Sequence, residues 1–276
     1  MNKQFKQDFL MNFKKILSFG LLLSSITFAS KCCEKTNFYI LTESGWSWPT
    51  CPKFQYSQDL PEDIKNQNEA IFGSRPNSGY VISAEIGVEF NNWLALGSSF
   101  NIRPLYEYCQ SVNAIGDLGA RTAYFTLSNM SFMYIAAINR GIAPCWSWEC
   151  GCLKFAPFVA GGVGLAYNTY GHFVSISEVD TTVGYKVLQE QVPTTTRHFA
   201  WQVQVGLEAS YSERLSFGIA YRFFDAGTWS SSTDRCCINY WSDYETSDTN
   251  LTHTTLPPLY GKLRTNELIF NLMLNF

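Results

Sequence analysis

The chain has 276 residues, with 20 Lys and Arg against 23 Asp and Glu, and its net charge of −3 offers no basic field for following nucleic-acid phosphates. Charged residues make up 16% where roughly 25% is usual, and aromatics also reach 16%, which excludes a disordered chain and fits poorly with a cytosolic enzyme. Past the leader no apolar run approaches the ~20 residues that a membrane helix needs, so a helical membrane protein is excluded, and the length suits one folding unit better than two.

Lys14 and Lys15 precede the apolar run from Ile16 to Ala29, which has the length of a signal-peptide core and is too short to span a bilayer. Thr27 and Ala29 are the small residues a signal peptidase reads, so residues 1–29 are expected to be removed, leaving 30–276 as a single domain. Met11 opens a complete signal sequence by itself and is an alternative start. Lys31 before Cys32 is a poor match to lipid attachment at Cys32 or Cys33.

Beyond the leader the signal is period-2 alternation. Asn37 to Trp48 is a less regular strand, followed by a long connection from Pro49 to Ser78. Tyr80, Ile82, Ala84, Ile86, Val88 and Phe90 alternate with Val81, Ser83, Glu85, Gly87 and Glu89, and Asn91-Asn92 turns the chain into Leu94, Leu96, Phe100 and Ile102, a hairpin. A long connection, Cys109 to Gly119, leads to Ala123–Ala137, where the apolar phase slips near Asn129 and suggests a bulge. After Asn139 to Gly151, the run from Phe155 to Tyr167 sets Pro157, Val159, Val163 and Leu165 against a face that is small apart from Phe158. Gly171 to Arg197 is the next long connection. Phe199 to Tyr211 then holds one phase throughout, and only Ser212 to Arg214 separate it from Leu215, Phe217, Ile219, Tyr221 and Phe223. The connection Ser230 to Lys262 leads to the last strand, with Leu268, Phe270, Leu272, Leu274 and Phe276 on one face.

Eight strands joined alternately by long and short connections, apolar on one face and small or polar on the other, predict an all-β fold: an eight-stranded antiparallel transmembrane β-barrel with four external loops. A soluble sandwich would not place Phe, Trp, Leu and Val on the outer face of strand after strand. Trp46, Trp48, Phe90, Trp93, Tyr106, Tyr108, Tyr167, Tyr170, Phe199, Trp201, Phe224, Trp229 and Phe276 cluster at segment ends, as two interfacial girdles would. Glu85, Glu89, Glu208 and Glu267, with Arg103 and Arg222, fall on the inward phase and are expected to form a polar network plugging a lumen only wide enough for side chains.

The leader, the glycine-patterned strand Phe155 to Tyr167, the hairpin around Ser212 to Arg214 and the terminal Leu272-Met-Leu-Asn-Phe276 together resemble the small eight-stranded outer-membrane barrels of the OmpA-type and opacity-protein superfamily of Gram-negative bacteria. The resemblance covers nearly the whole mature chain, and it implies outer-membrane lipid as surroundings. It further implies that Phe276 is an insertion signal read by the barrel-insertion machinery. Nine cysteines depart from the family pattern.

In that topology Cys51, Cys109, Cys236 and Cys237 face outside, and Cys32, Cys33, Cys145, Cys150 and Cys152 face the periplasm. Both compartments permit disulfides, so all nine are candidates, and the odd periplasmic set leaves one thiol free or bonded to a disulfide-linked neighbour. The spacing of Cys145, Cys150 and Cys152 matches no standard zinc knuckle. Of the three histidines, His198 lies on the inward phase and His172 and His253 lie in long connections, none with a Ser or Asp that strand spacing brings alongside. No catalytic, cofactor or metal residue emerges. The expectation is a non-enzymatic outer-membrane protein with a structural or adhesin-like role, meeting a host or cell-surface ligand through its external loops. A lipid-modifying barrel enzyme and a narrow-conductance channel are the alternatives.

Overall fold

The computed structural model describes residues 36–50, 55–56, 77–90, 93–112, 121–140, 146–179, 185–191, 193–212, 214–231, 236–242, 252–254 and 259–276. The segment read as a signal peptide lies outside them, as do Cys32, Cys33, Cys51 and Cys145.

Eight long strands make the wall: β1 (Asn37–Pro49), β2 (Gly79–Phe90), β3 (Leu94–Val112), β4 (Arg121–Ile138), β5 (Leu153–Val179), β6 (Thr194–Ser210), β7 (Leu215–Ser230) and β8 (Leu259–Asn275). Each pairs antiparallel with its neighbour in sequence, and β1 pairs with β8 from Tyr39↔Asn275 to Pro49↔Thr265. This is a closed up-and-down barrel, which leaves no open edge in the wall. Alternation decides the two faces: Ile40, Ile82, Ile86, Val159, Val163, Val203, Val205, Ile219, Phe270 and Leu272 all point outward and are exposed. Such a belt costs free energy in water and none in hydrocarbon.

The strands run longer than the sequence suggested. About 9 to 11 residues suffice to cross a bilayer, whereas β5 has 27 and β3 has 19. The connections expected at Cys109 to Gly119 and Gly171 to Arg197 are therefore partly strand, and Cys109, read as a loop residue, belongs to β3. Past Tyr170, β5 leaves β6 and pairs with a further strand, Tyr185–Gln191, which pairs with Cys236–Ser242, which in turn pairs with Thr252–Thr254. Cys236 and Cys237 are thus strand residues, and so is Cys150, in the short strand Trp148–Cys150.

The slip expected near Asn129 is absent from β4; the bulge lies opposite it, in the partner strand β3. On β4 the residues Phe125, Leu127, Asn129, Ser131, Met133, Ile135 and Ala137 point inward without interruption. The register shift lies on β3, where Arg103 faces Asn129 and Tyr106 faces Leu127, so that Pro104 and Leu105 oppose one residue. Proline donates no ladder hydrogen bond, and a bulge accommodates it.

Candidate functional site

The lumen holds the chemistry. Glu43 on β1 is bound by the Arg222 guanidinium from β7, accepts hydrogen bonds from Ser83 Oγ at 2.6 Å and Gln204 Nε2 at 3.1 Å, and meets Arg140 Nη2 at 3.4 Å. Glu267 on β8 takes two bonds from Arg103, from Nε at 2.6 Å and Nη2 at 3.1 Å, and lies 3.6 Å from Arg222 Nη1. Ser47 and Thr265 hydroxyls also donate to Glu267. Arg222 therefore joins the two carboxylates, and its remaining donors reach Gln204 Oε1 and Asn101 Oδ1. The bidentate pairing is the geometry in which a guanidinium best offsets burial of a carboxylate.

Towards the short-turn end, Glu85 accepts from Tyr39 OH at 2.6 Å and lies 3.8 Å from Arg140 Nη1. The Tyr39 ring lies across Gly87 and Gly97: a Cβ at Gly97 would lie 2.5 Å from the Tyr39 oxygen, so those glycines make the slot. Arg140 enters the lumen because of the residue before it. Asn139 adopts φ 61, and its side-chain amide bridges Trp146 O at 2.9 Å, Pro157 O at 2.7 Å and the Trp146 N–H at 3.0 Å. Asparagine is among the few residues that tolerate this backbone region. The Arg140 guanidinium then lies 4.6 Å from the centroid of Phe158, the one large inward side chain between Phe155 and Tyr167.

The other end of the lumen is aromatic. Tyr170 and Trp229 stack at 5.1 Å with 6° between planes, Phe125 lies 6.0 Å from Trp229 and 5.5 Å from Tyr170, and Tyr108 stacks on Phe125 at 4.5 Å. Beneath them Arg103 sits 3.6 Å over the Phe224 ring. This corrects the girdle reading for five residues: Tyr106, Tyr108, Tyr170, Phe224 and Trp229 are buried inside, whereas Trp46, Trp48, Trp93, Phe199, Trp201 and Phe276 are exposed outside. The β3 bulge shifts Tyr106 and Tyr108 inward. On β7 the register shifts between Asp225 and Thr228, where Gly227 has φ 76, the Asp225 carboxylate accepts from the Gly227 N–H at 2.9 Å, and Arg264 Nε donates to Asp225 at 2.8 Å. That turn brings Trp229 inward.

All six residues placed by phase in a lumen network, Glu85, Glu89, Arg103, Glu208, Arg222 and Glu267, are buried inside. Arg103, Arg222, Glu267 and Glu85 belong to the bonded set just described. Sequence reasoning missed Glu43 and Arg140. Glu43 lies on the inward phase of β1 with Tyr39, Leu41 and Ser47, a mixed face that hid the alternation, and Arg140 lies past the end of its strand, where period gives no guidance.

His198 is half-buried, with Thr228 Oγ1 at 3.1 Å from Nδ1 and 3.0 Å from Nε2; the side chains of His172 and His253 lie outside the described residues. Cys150 and Cys152 are exposed free thiols. Phe276 is exposed and its N–H donates to Phe38 O at 2.9 Å.

No family model matches the chain, and no curated protein does. Among solved structures it is similar to Neisserial surface protein A, with 11% identity over 88% of this chain and 100% of that one and a TM-score of 0.41. It is similar also to OprG from Pseudomonas aeruginosa, with 11% identity over 88% and 97% and a TM-score of 0.39. A third is Ail, the attachment invasion locus protein of Yersinia pestis, with 9% identity over 87% and 99% and a TM-score of 0.32. At such scores function does not pass between chains, and the barrel assignment rests on this chain's own strand pairing.

Proposed function

We propose that the chain is an integral outer-membrane barrel with a structural or surface-interaction, adhesin-like role, without enzymatic activity and without an open pore. The observation that carries this is the division of the molecule into three zones. The outer belt is apolar and exposed, the lumen is filled by buried ion pairs and stacked aromatics, and the chain's elaboration lies in strands that continue past the barrel at the long-connection end. A wall that lipid solvates and a core that side chains fill leave the external face to meet a partner. Because β5, Tyr185–Gln191 and Cys236–Ser242 are hydrogen-bonded to one another, that face is built on sheet continuous with the wall. A rigid platform loses little conformational freedom on binding.

The test has two parts. The purified membrane fraction should show heat-modifiable gel mobility, and the protein reconstituted in planar bilayers should give no sustained conductance. Cells displaying a variant with residues 232–258 replaced by a Gly/Ser linker should keep heat-modifiability and lose attachment to host or neighbouring cells. Attachment unchanged by that replacement, or a steady channel in the intact protein, overturns the reading.

A further inference from the structure

The segment between β4 and β5 ends in a two-residue hairpin turn, with Cys150 paired to Leu153 across it. Of the two central residues only Gly151 lies in the left-handed region, at φ 61, which is the pattern of a type II′ turn. A Cβ at Gly151 would meet no atom within 4 Å, so the tip stands clear of the wall. Cys150 and Cys152, one on each side of that glycine, are both exposed and both carry free thiols. Consecutive Cα atoms are about 3.8 Å apart, and a β-turn folds two such steps to about 5.5 Å, inside the roughly 4.4 to 6.8 Å that a disulfide spans. A ring closed through a single intervening residue is strained, and strained, exposed disulfides are the labile ones. The tip therefore has two accessible sulfurs whose Cα spacing a disulfide can span but which gain little by staying joined.

We propose that Cys150-Gly151-Cys152 is a thiol–disulfide exchange site for cystine-bearing polypeptides on the side of the membrane where the short turns lie; only the choice of side rests on the outer-membrane reading. Cys152, at the corner of the turn, attacks as thiolate one sulfur of the partner's disulfide. The partner's S–S bond breaks, a mixed disulfide forms, and the partner's second sulfur leaves as thiolate. Cys150, as thiolate, then attacks Cys152 in the mixed disulfide, the Cys150–Cys152 bond forms as the Cys152–partner bond breaks, and the partner departs as a dithiol, having taken the two electrons that the pair gives up. Because the product ring is strained, the last step is readily reversed by a partner thiolate, so the same pair passes a disulfide back.

Oxidised glutathione is the probe. The full chain carrying Cys145→Ser is refolded in detergent micelles, its heat-modifiable fraction is exposed to the probe and alkylated, and the 141–154 tryptic peptide is weighed over time. The expected result is one glutathione gained and then lost, leaving a Cys150–Cys152 disulfide, whereas Cys150→Ser in the same background keeps its glutathione. A peptide that accumulates two stable glutathiones, or a Cys150→Ser variant that loses its glutathione as fast as the parent, overturns the proposal. A membrane-impermeant maleimide tests the side separately. Labelling of Cys152 in intact cells would refute the orientation while leaving the exchange chemistry, measured in micelles, standing.

Discussion

Arg222 connects the two carboxylates at the centre of the lumen, and its replacement by methionine keeps most of its volume while removing the charge between Glu43 and Glu267. Breaking a buried pair from one side costs about 3 to 5 kcal/mol, because the abandoned charge stays buried. Here neither carboxylate is abandoned completely: Glu43 keeps Arg140 at 3.4 Å and Glu267 keeps Arg103 at 2.6 Å. The expected loss is therefore near the lower end, about 3 kcal/mol, read from denaturant unfolding in lipid vesicles. Arg264→Met is the matched control. Arg264 pairs with Asp225 at 2.8 Å but is 45% exposed, so solvent screening holds its contribution to about 1 kcal/mol or less. Adding Glu43→Gln to Arg222→Met should restore part of the loss, a coupling of about 0.5 to 3 kcal/mol between residues in one network. If Arg222→Met costs no more than Arg264→Met, the lumen is wet enough to screen its own charges, and buried ion pairs do not hold the barrel together.

Val205 lies on the outer face of β6 with Val203 and Leu207, and Val205→Arg should cost about 2 to 4 kcal/mol of folding stability in bilayers; a neutral effect would mean that this face does not meet hydrocarbon. Deleting Phe276, or replacing it with Asp, should leave the protein accumulating in the periplasm, and normal surface levels would show that its aromatic ring is not part of an insertion signal. Non-reducing peptide maps should join Cys51, Cys109, Cys236 and Cys237 only among themselves, since a membrane band of about 25 Å separates them from the opposite set, and a single bond from Cys236 to Cys145 would contradict that topology.

The wall was legible because outward-facing and lumen-facing positions must alternate, so each regular strand writes its orientation at every residue. Val203, Val205 and Leu207 against Gln202, Gln204 and Glu208 need no structure to sort. Legibility failed where the period breaks. A bulge at Pro104-Leu105 turns Tyr106 and Tyr108 from outside to inside, and the turn at Gly227 does the same for Trp229; Pro104 and Gly227 mark the breaks, but neither says by how many residues the phase shifts. The ion pairs were legible only by half. Phase shows that Glu267 and Arg103 both point inward, but which of them meet depends on strands distant in sequence, and Arg140 reaches Glu43 from a turn that has no phase at all.

The proposal of a barrel without an open pore assigns the two ends of the lumen to different side chains, and their independence is testable. At the long-connection end the Tyr170–Trp229 stack with Phe125 lies in the lumen, and at the short-turn end Arg140 does, held by Glu43 and Glu85 and lying against Phe158. An ion crossing the barrel meets both in series, so removing one barrier leaves the other in place. Trp229→Ala empties a fully buried site and should cost about 3 to 5 kcal/mol of stability. It should leave bilayer conductance unchanged. Arg140→Ala removes the opposite barrier with the same silence in conductance. Only the double variant opens both ends onto the central Arg222 network, where the lumen carboxylates Glu43, Glu85, Glu89, Glu208 and Glu267 outnumber the two remaining guanidiniums of Arg103 and Arg222, so any current that passes should be cation-selective. Conductance in either single variant would show that one closure alone seals the barrel. Anion selectivity in the double variant would show that the path does not run past those carboxylates.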